Sequence, residues 1–358
     1  MAGLGGRSGR ALIALAVLVA LCGCEPSTDP REAAYADYLT RLNRSLDGDI
    51  VEPRRDDLPP YPPHRDLVVP IERGSIDFPE FFELHDCDLG DLVGFRNSPL
   101  GRMQVASQRL GYEAAWIRAA GRCPERPGWI DALVDVKRAQ LPDLFWNATF
   151  AAPEMQELMG AAQIAAVASA PGADPAAGTS AGMSALAFVL RELSDNLTGL
   201  EQDRFDLHAF ESTLSALRSA ARVGAVRRDW AALRAHLGAA AELLERERAR
   251  VCRNGAPTPL SRVLRNLFLK FYVEAIQAPA AQRLRVQAVW VRQLAELVAR
   301  LPAAQRGPFA AWYAGSLDPA DADSEWSRTH AAILEHARAW QRLFAGCGLE
   351  PAPPLRQH

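Results

Sequence analysis

The chain has 358 residues, 49% of them hydrophobic and 23% charged, which is enough apolar material for a packed core and excludes global disorder. A formal net charge of −3 argues against the basic footprint that a nucleic-acid-binding protein carries. Lys137 and Lys270 are the only lysines among 40 basic residues, so the positive charge is almost entirely guanidinium, scattered along the chain in a way that names no partner.

Residues 1–23 read as a targeting leader outside the fold. Arg7 and Arg10 form its positive end, and Ala11–Ala20 is a run of ten apolar residues, too short to span a bilayer as a helix. Leu21-Cys22-Gly23-Cys24 resembles the lipobox of bacterial lipoproteins. That resemblance implies cleavage after Gly23, a diacylglyceryl thioether on Cys24 and acylation of the new amino terminus. Several acyl chains make a stable anchor where one alone is marginal. Glu25, not aspartate, follows the cysteine, which by the same analogy implies the outer membrane, facing the periplasm. No later segment reads as a span, because Gly160–Leu190 is interrupted by Pro171, Asp174 and Pro175.

Residues 24–75 read as a tether, one helix and an extended segment. Arg31–Leu46 carries Tyr35, Tyr38, Leu39, Leu42 and Leu46 on one helical stripe. From Val51 to Pro70 six prolines recur, so the chain is extended over the surface, with short strand character around Leu67–Ile71. Residues 76–170 form a first helical half. Asp77 and Pro79 start a helix running toward Cys87. Ser98 and Pro99 open another as N-cap and first helical residue, placing Leu100, Met103, Ser107, Leu110, Ala114 and Ile117 on one face. Further helices are expected at Trp129–Gln140, Pro153–Ser169 and Ser180–Leu197.

Residues 171–350 form a second helical half, before a tail at 351–358. Trp230, Leu233, Leu237, Ala240 and Leu244 repeat at heptad spacing. Thr258-Pro259 caps a helix with Leu260, Val263, Leu264, Leu267, Phe268 and Phe271 as a broad buried stripe. Leu284, Val291, Leu294, Val298 and Leu301 continue until Pro302. Trp326, Ile333, Ala337, Trp340 and Phe344 line the last helix, which Gly346 and Gly348 end. The expected fold is an all-α multi-helix bundle with a Pro-rich extended N-terminal segment.

Beyond Cys22 and Cys24 there are four cysteines, Cys87, Cys123, Cys252 and Cys347, which in an oxidising compartment read as two disulfides. Of three connectivities, Cys87–Cys123 and Cys252–Cys347 follow the chain order and staple one bridge into each half. With no C-x-x-C or H-x-x-x-H spacing, and with His330 and His336 about 120° apart on one helix, no metal site is read, and no cofactor motif is found. His85-Asp86-Cys87-Asp88 reads as a polar helix end.

Three constellations bear on chemistry. Gly178-Thr179-Ser180-Ala181-Gly182 fits G-x-S-x-G and resembles the nucleophile elbow of patatin-like lipid acyl hydrolases, which makes Ser180 the candidate nucleophile. The Pro/Gly/Ala-rich residues before it form no strand, and the family's upstream oxyanion loop and downstream Asp-Gly are missing. Arg96, Asn97 and Ser98 precede a helix start with Arg102 nearby, a set of donors suited to a phosphate or carboxylate. Trp146 and Asn147 offer a ring and an amide to a sugar, or else a buried helix anchor.

The leader, the Cys87 region, Arg96-Asn97-Ser98-Pro99-Leu100-Gly101, Leu110–Glu113 and Leu144–Thr149 together resemble an uncharacterised family of proteobacterial lipoproteins known only as a domain of unknown function. The resemblance implies a location and no reaction. The expected function is a non-enzymatic binding or structural protein held at the membrane through Cys24, its partner an envelope protein or a cell-wall component. A Ser180 hydrolase and an anion or glycan binder near Arg96 are the alternatives.

Overall fold

The first described helix is capped by Asp29, whose carboxylate accepts from the Arg31 amide at 2.9 Å at the start of α1 (Pro30–Leu46), with Pro30 at the first helical position. The computed structural model describes residues 29–349 except 73, 75, 85–87, 124–125, 161–174, 219, 221 and 253–254, with the backbone alone for Phe78 and 175–181. There follow α2 (His64–Leu67), α3 (Phe78–Phe82), α4 (Leu89–Asn97), α5 (Pro99–Arg102), α6 (Ala106–Arg122), α7 (Gly128–Ala148) and α8 (Pro153–Met159). After them come α9 (Pro175–Glu201), α10 (Leu207–Leu217), α11 (Val223–Val251) and α12 (Pro259–Leu267). A π-helical stretch, Phe268–Gln277, joins α12 to α13 (Ala278–Ala299), and a 3₁₀ turn at Pro302–Gln305 leads to α14 (Gly307–Ser316) and α15 (Glu325–Gly346). Among the described residues there is no strand, so the fold is all-α.

Burial follows the apolar spacing. One core cluster is built by α6, α7, α9, α13 and α14 and holds Trp116, Trp146, Trp230 and Trp290. A second is built by α1, the later part of α11, the π stretch and α15, with Tyr38, Leu237, Tyr272 and Trp340 at its centre. Helix α11 runs through both and packs along α1 and α15. The Cys252–Cys347 disulfide forms as expected and ties the ends of α11 and α15 within the second cluster. Cys123, at the end of α6, is disulfide-bonded too, and its expected partner Cys87 lies outside the described residues.

The extended segment is tied down by polar groups the apolar pattern does not reveal. Arg227 and Glu325, both 1% exposed, form a two-pronged pair (Nε–Oε2 2.9 Å, Nη2–Oε1 2.7 Å), and Arg227 Nη2 also donates to the Pro59 carbonyl at 2.9 Å. Arg234 and Arg328 both reach Asp56, at 3.1 Å each. Tyr61 is buried and donates to the Phe150 carbonyl at 2.8 Å.

Several expectations are corrected. The helix beginning at Ser98 ends after one turn at Arg102, and a separate helix begins at Ala106, so Leu100 and Met103 point to solvent while Ser107, Leu110, Ala114 and Ile117 are buried. Leu67–Ile71 forms no strand; Val69 is held by the Asn147 side chain instead, N–H to Oδ1 and carbonyl to Nδ2, both at 2.8 Å. Val263 is exposed, which narrows the α12 stripe. The helix at Trp129–Gln140 extends to Ala148, through Pro142. The helix expected at Pro153–Ser169 is α8 as far as Met159, and its later part lies outside the described residues.

The π stretch is new, and its apolar spacing accounts for it. Leu264, Phe268, Tyr272, Ile276 and Ala280 recur every four residues, and on an α-helix each such step overshoots a turn by about 40°. The wider turn keeps this series facing the second core cluster, where Tyr272 packs on Tyr38 and on the His336 ring. There the Tyr38 oxygen accepts from Trp340 Nε1 at 3.0 Å and shares a hydrogen bond with His336 Nε2 at 2.8 Å. Burial pushes the His336 pKa down from 6.5 to about 3.

The unfolded chain takes up a proton at His336 below about pH 6.5 while the folded chain does not, so stability is full above that value and falls on acidification. Between pH 7 and 5 the loss from this group is about 2 kcal/mol. Urea titrations at both pH values should show that much more pH dependence in the wild type than in His336→Gln; an equal dependence would remove His336 as its source.

Candidate functional site

The site is made where the chain crosses itself between α4 and α6. Ser98 caps α5 by accepting from the Gly101 amide at 3.1 Å and donates its own hydroxyl to the Phe95 carbonyl at 2.6 Å. Gly101 then lies directly on the last turn of α4: a Cβ there would strike the Phe95 carbonyl oxygen and sit 2.8 Å from Arg96 Cα. Only glycine permits this backbone approach, which folds α5 back and brings Arg102 beside Arg96. The Arg96 Nη1 hydrogen-bonds the Gly101 carbonyl and locks the crossing.

Beyond the crossing lies a hollow of about 190 Å³, closed by α6, α7 and the extended residues Glu72 and Gly74. Four cations line it, Arg96, Arg102, Arg109 and Lys137, against two carboxylates, Glu72 and Glu113. Glu113 is 2% exposed and is held by Arg109 (Nε–Oε1 2.7 Å) and by Lys137. Two cations thus compensate one buried carboxylate, leaving an excess of positive charge on that wall. Tyr112 forms part of the lining, with Arg96, Arg109 and Lys137 each within 6.0 Å of its ring centre. Burial raises the Tyr112 pKa, so its hydroxyl stays protonated. The Arg102 guanidinium is exposed and has no hydrogen-bond or ion-pair partner among the described residues.

Arg96, Asn97 and Arg102 therefore converge as the sequence suggests, but the donors are side chains: α5 is a single turn, and its first free amide is taken by Ser98 itself. Trp146 and Asn147 do not join them. Trp146 is 1% exposed, donates to the Leu67 carbonyl at 2.7 Å and stacks on Phe150 at 4.8 Å, while both ends of the Asn147 amide are spent on Val69. They anchor the extended segment and are corrected from ligand contacts to packing. A second hollow, of about 290 Å³, lies between that segment and the start of α14, with Trp146, Phe309 and Arg306 in its wall. Gly178–Gly182 lie inside α9, which begins at Pro175, so Ser180 stands in a continuous helix and not at an elbow. His85, Asp86 and Cys87 lie outside the described residues. Among the described residues no His, Cys, Asp and Glu group is arranged to hold a metal ion, and no helix is long and apolar enough to cross a membrane.

Sequence reasoning missed Arg109, Tyr112, Glu113, Lys137 and Glu72. Signals existed for two of them. Glu113 occupies a core-facing position of α6 between Leu110 and Ile117, and Lys137 is one of two lysines in an arginine-rich chain.

A family model described as a protein of unknown function, DUF3080, matches residues 35–351. Neither the curated proteins nor the solved structures hold a significant match.

Proposed function

Because the chain belongs to this family of proteins of unknown function, DUF3080, and the matched residues span the hollow and both core clusters, we propose that its role is carried by the hollow, as a binding site for a phosphate or carboxylate group. The observation that carries the reading is the charge excess around a preformed space, with one guanidinium, Arg102, left uncompensated. Guanidinium forks and a partly buried ammonium suit a tetrahedral or planar anion, and the Arg109–Glu113–Lys137 unit holds two of the cations in place.

The same proposal places the protein in the bacterial envelope. The lipobox-like Leu21–Cys24 supports acylation at Cys24, and Glu25 supports the outer membrane. Mass spectrometry of the amino-terminal peptide tests this: a triacylated Cys24 is expected, and an unmodified one would refute the anchor.

Calorimetric titration with glycerol 1-phosphate tests the site. One molecule is expected to bind per chain, and Arg102→Gln is expected to weaken it about tenfold, the loss of one charge-assisted hydrogen bond. Because Arg102 supports no other described group, its replacement leaves the fold intact. Absence of heat, or unchanged affinity in Arg102→Gln, would sink the reading.

A further inference from the structure

The chain on either side of Arg102, a lining residue of the hollow, carries a second feature that an anion site alone does not need. Leu100 is 70% exposed, Met103 80% and Val105 59%, three apolar side chains within six residues on the short turn and link between α4 and α6. They are the residues that the crossing at Gly101 turns out of the core, and Val136, in the hollow wall, is exposed beside the same cations. Apolar side chains exposed beside Arg102 gain nothing from water and would gain nothing from a purely polar partner.

We infer that this face docks on an anionic lipid bilayer, with Leu100, Met103 and Val105 entering the acyl boundary and a lipid phosphate seated among Arg96, Arg102, Arg109 and Lys137. The inference rests on the anion-binding reading above and names the occupant. Charge complementarity chooses it: an anionic leaflet presents phosphates at the level of the headgroups and hydrocarbon immediately beneath them, which suits cations lining the hollow and exposed apolar side chains flanking Arg102. Arginine stems add apolar length that lies along the same boundary. With acyl chains at Cys24 supplying attachment, this second contact fixes how the body faces the membrane.

Vesicle sedimentation tests the inference with the unacylated mature chain, residues 24–358 carrying Cys24→Ser; the described fold begins at Asp29, so this chain contains all of it. Vesicles of phosphatidylglycerol are expected to bind at least about tenfold more tightly than vesicles of phosphatidylcholine, and added salt should erase the difference. The double variant Leu100→Ser/Met103→Ser alters only exposed side chains and is expected to lose about tenfold in vesicle affinity while titrating with glycerol 1-phosphate as the wild type does. Arg102→Gln should weaken both. Equal binding to the two vesicles, or phosphatidylglycerol binding unchanged in the double variant, overturns the docking. Phosphate binding without vesicle binding also overturns it and leaves the anion site standing, whereas loss of both overturns both.

Discussion

Replacing Arg227 by methionine is expected to lower the unfolding free energy by about 3–5 kcal/mol, because it leaves the Glu325 carboxylate buried at 1% exposure without its counter-charge. The cost is mostly that of the stranded charge, not the intrinsic strength of the pair. The double variant Arg227→Met/Glu325→Leu should therefore recover most of the loss, since similar volumes of apolar side chain can replace a buried pair at little cost. One bond is not recovered. Arg227 also holds the Pro59 carbonyl, so the extended segment should exchange its amides faster in both variants. Urea unfolding of the two variants checks the account; a single variant as stable as the wild type would show that Glu325 finds other compensation.

Removing the Cys252–Cys347 bridge carries the other large effect. The bonded residues are 95 apart in sequence, and in the chain-entropy model a loop of this length is worth about 4–5 kcal/mol. Cys347 is fully buried, so Cys252→Ala/Cys347→Ala avoids adding a buried hydroxyl. Thermal unfolding should show a correspondingly lower midpoint, and hydrogen exchange should place the loss in the ends of α11 and α15. A loss below about 1 kcal/mol would mean that the core around Trp340 and Phe344 already restricts the reduced chain.

The fold was legible in the sequence wherever one helix decided its own burial. Tyr35 to Leu46 sit on a single stripe, so periodicity alone places them, whereas α11 is buried on every face from Trp230 to Leu237 and its heptad repeat marks only part of that burial. The same rule failed at Leu100 and Met103. Their spacing continues that of Ser107 and Leu110, but a contact between Gly101 and the end of α4 turns the chain between them. Apolar side chains kept on a surface imitate a core stripe when read by spacing. The π stretch was illegible for a related reason, since a four-residue repeat is compatible with a drifting α-helix until a partner such as Tyr38 demands that it stay in register.

The candidate site was half legible. Arg96, Asn97 and Arg102 are close in sequence and stayed together, whereas the Arg109–Glu113 pair of α6, Lys137 of α7 and Glu72 of the extended segment are brought to them by tertiary packing. Trp146 and Asn147 resembled ligand contacts because an indole and an amide that anchor an extended backbone present the same groups as those that hold a sugar.

The two lysines offer the most direct test of the anion site. Lys137 lines the hollow and Lys270 lies exposed on the π stretch, so one acetylation experiment carries its own control. Mass spectrometry after brief treatment with acetic anhydride, with and without glycerol 1-phosphate, should show modification of Lys137 slowed by the phosphate and that of Lys270 unchanged. Equal rates at Lys137 in both samples would contradict the account.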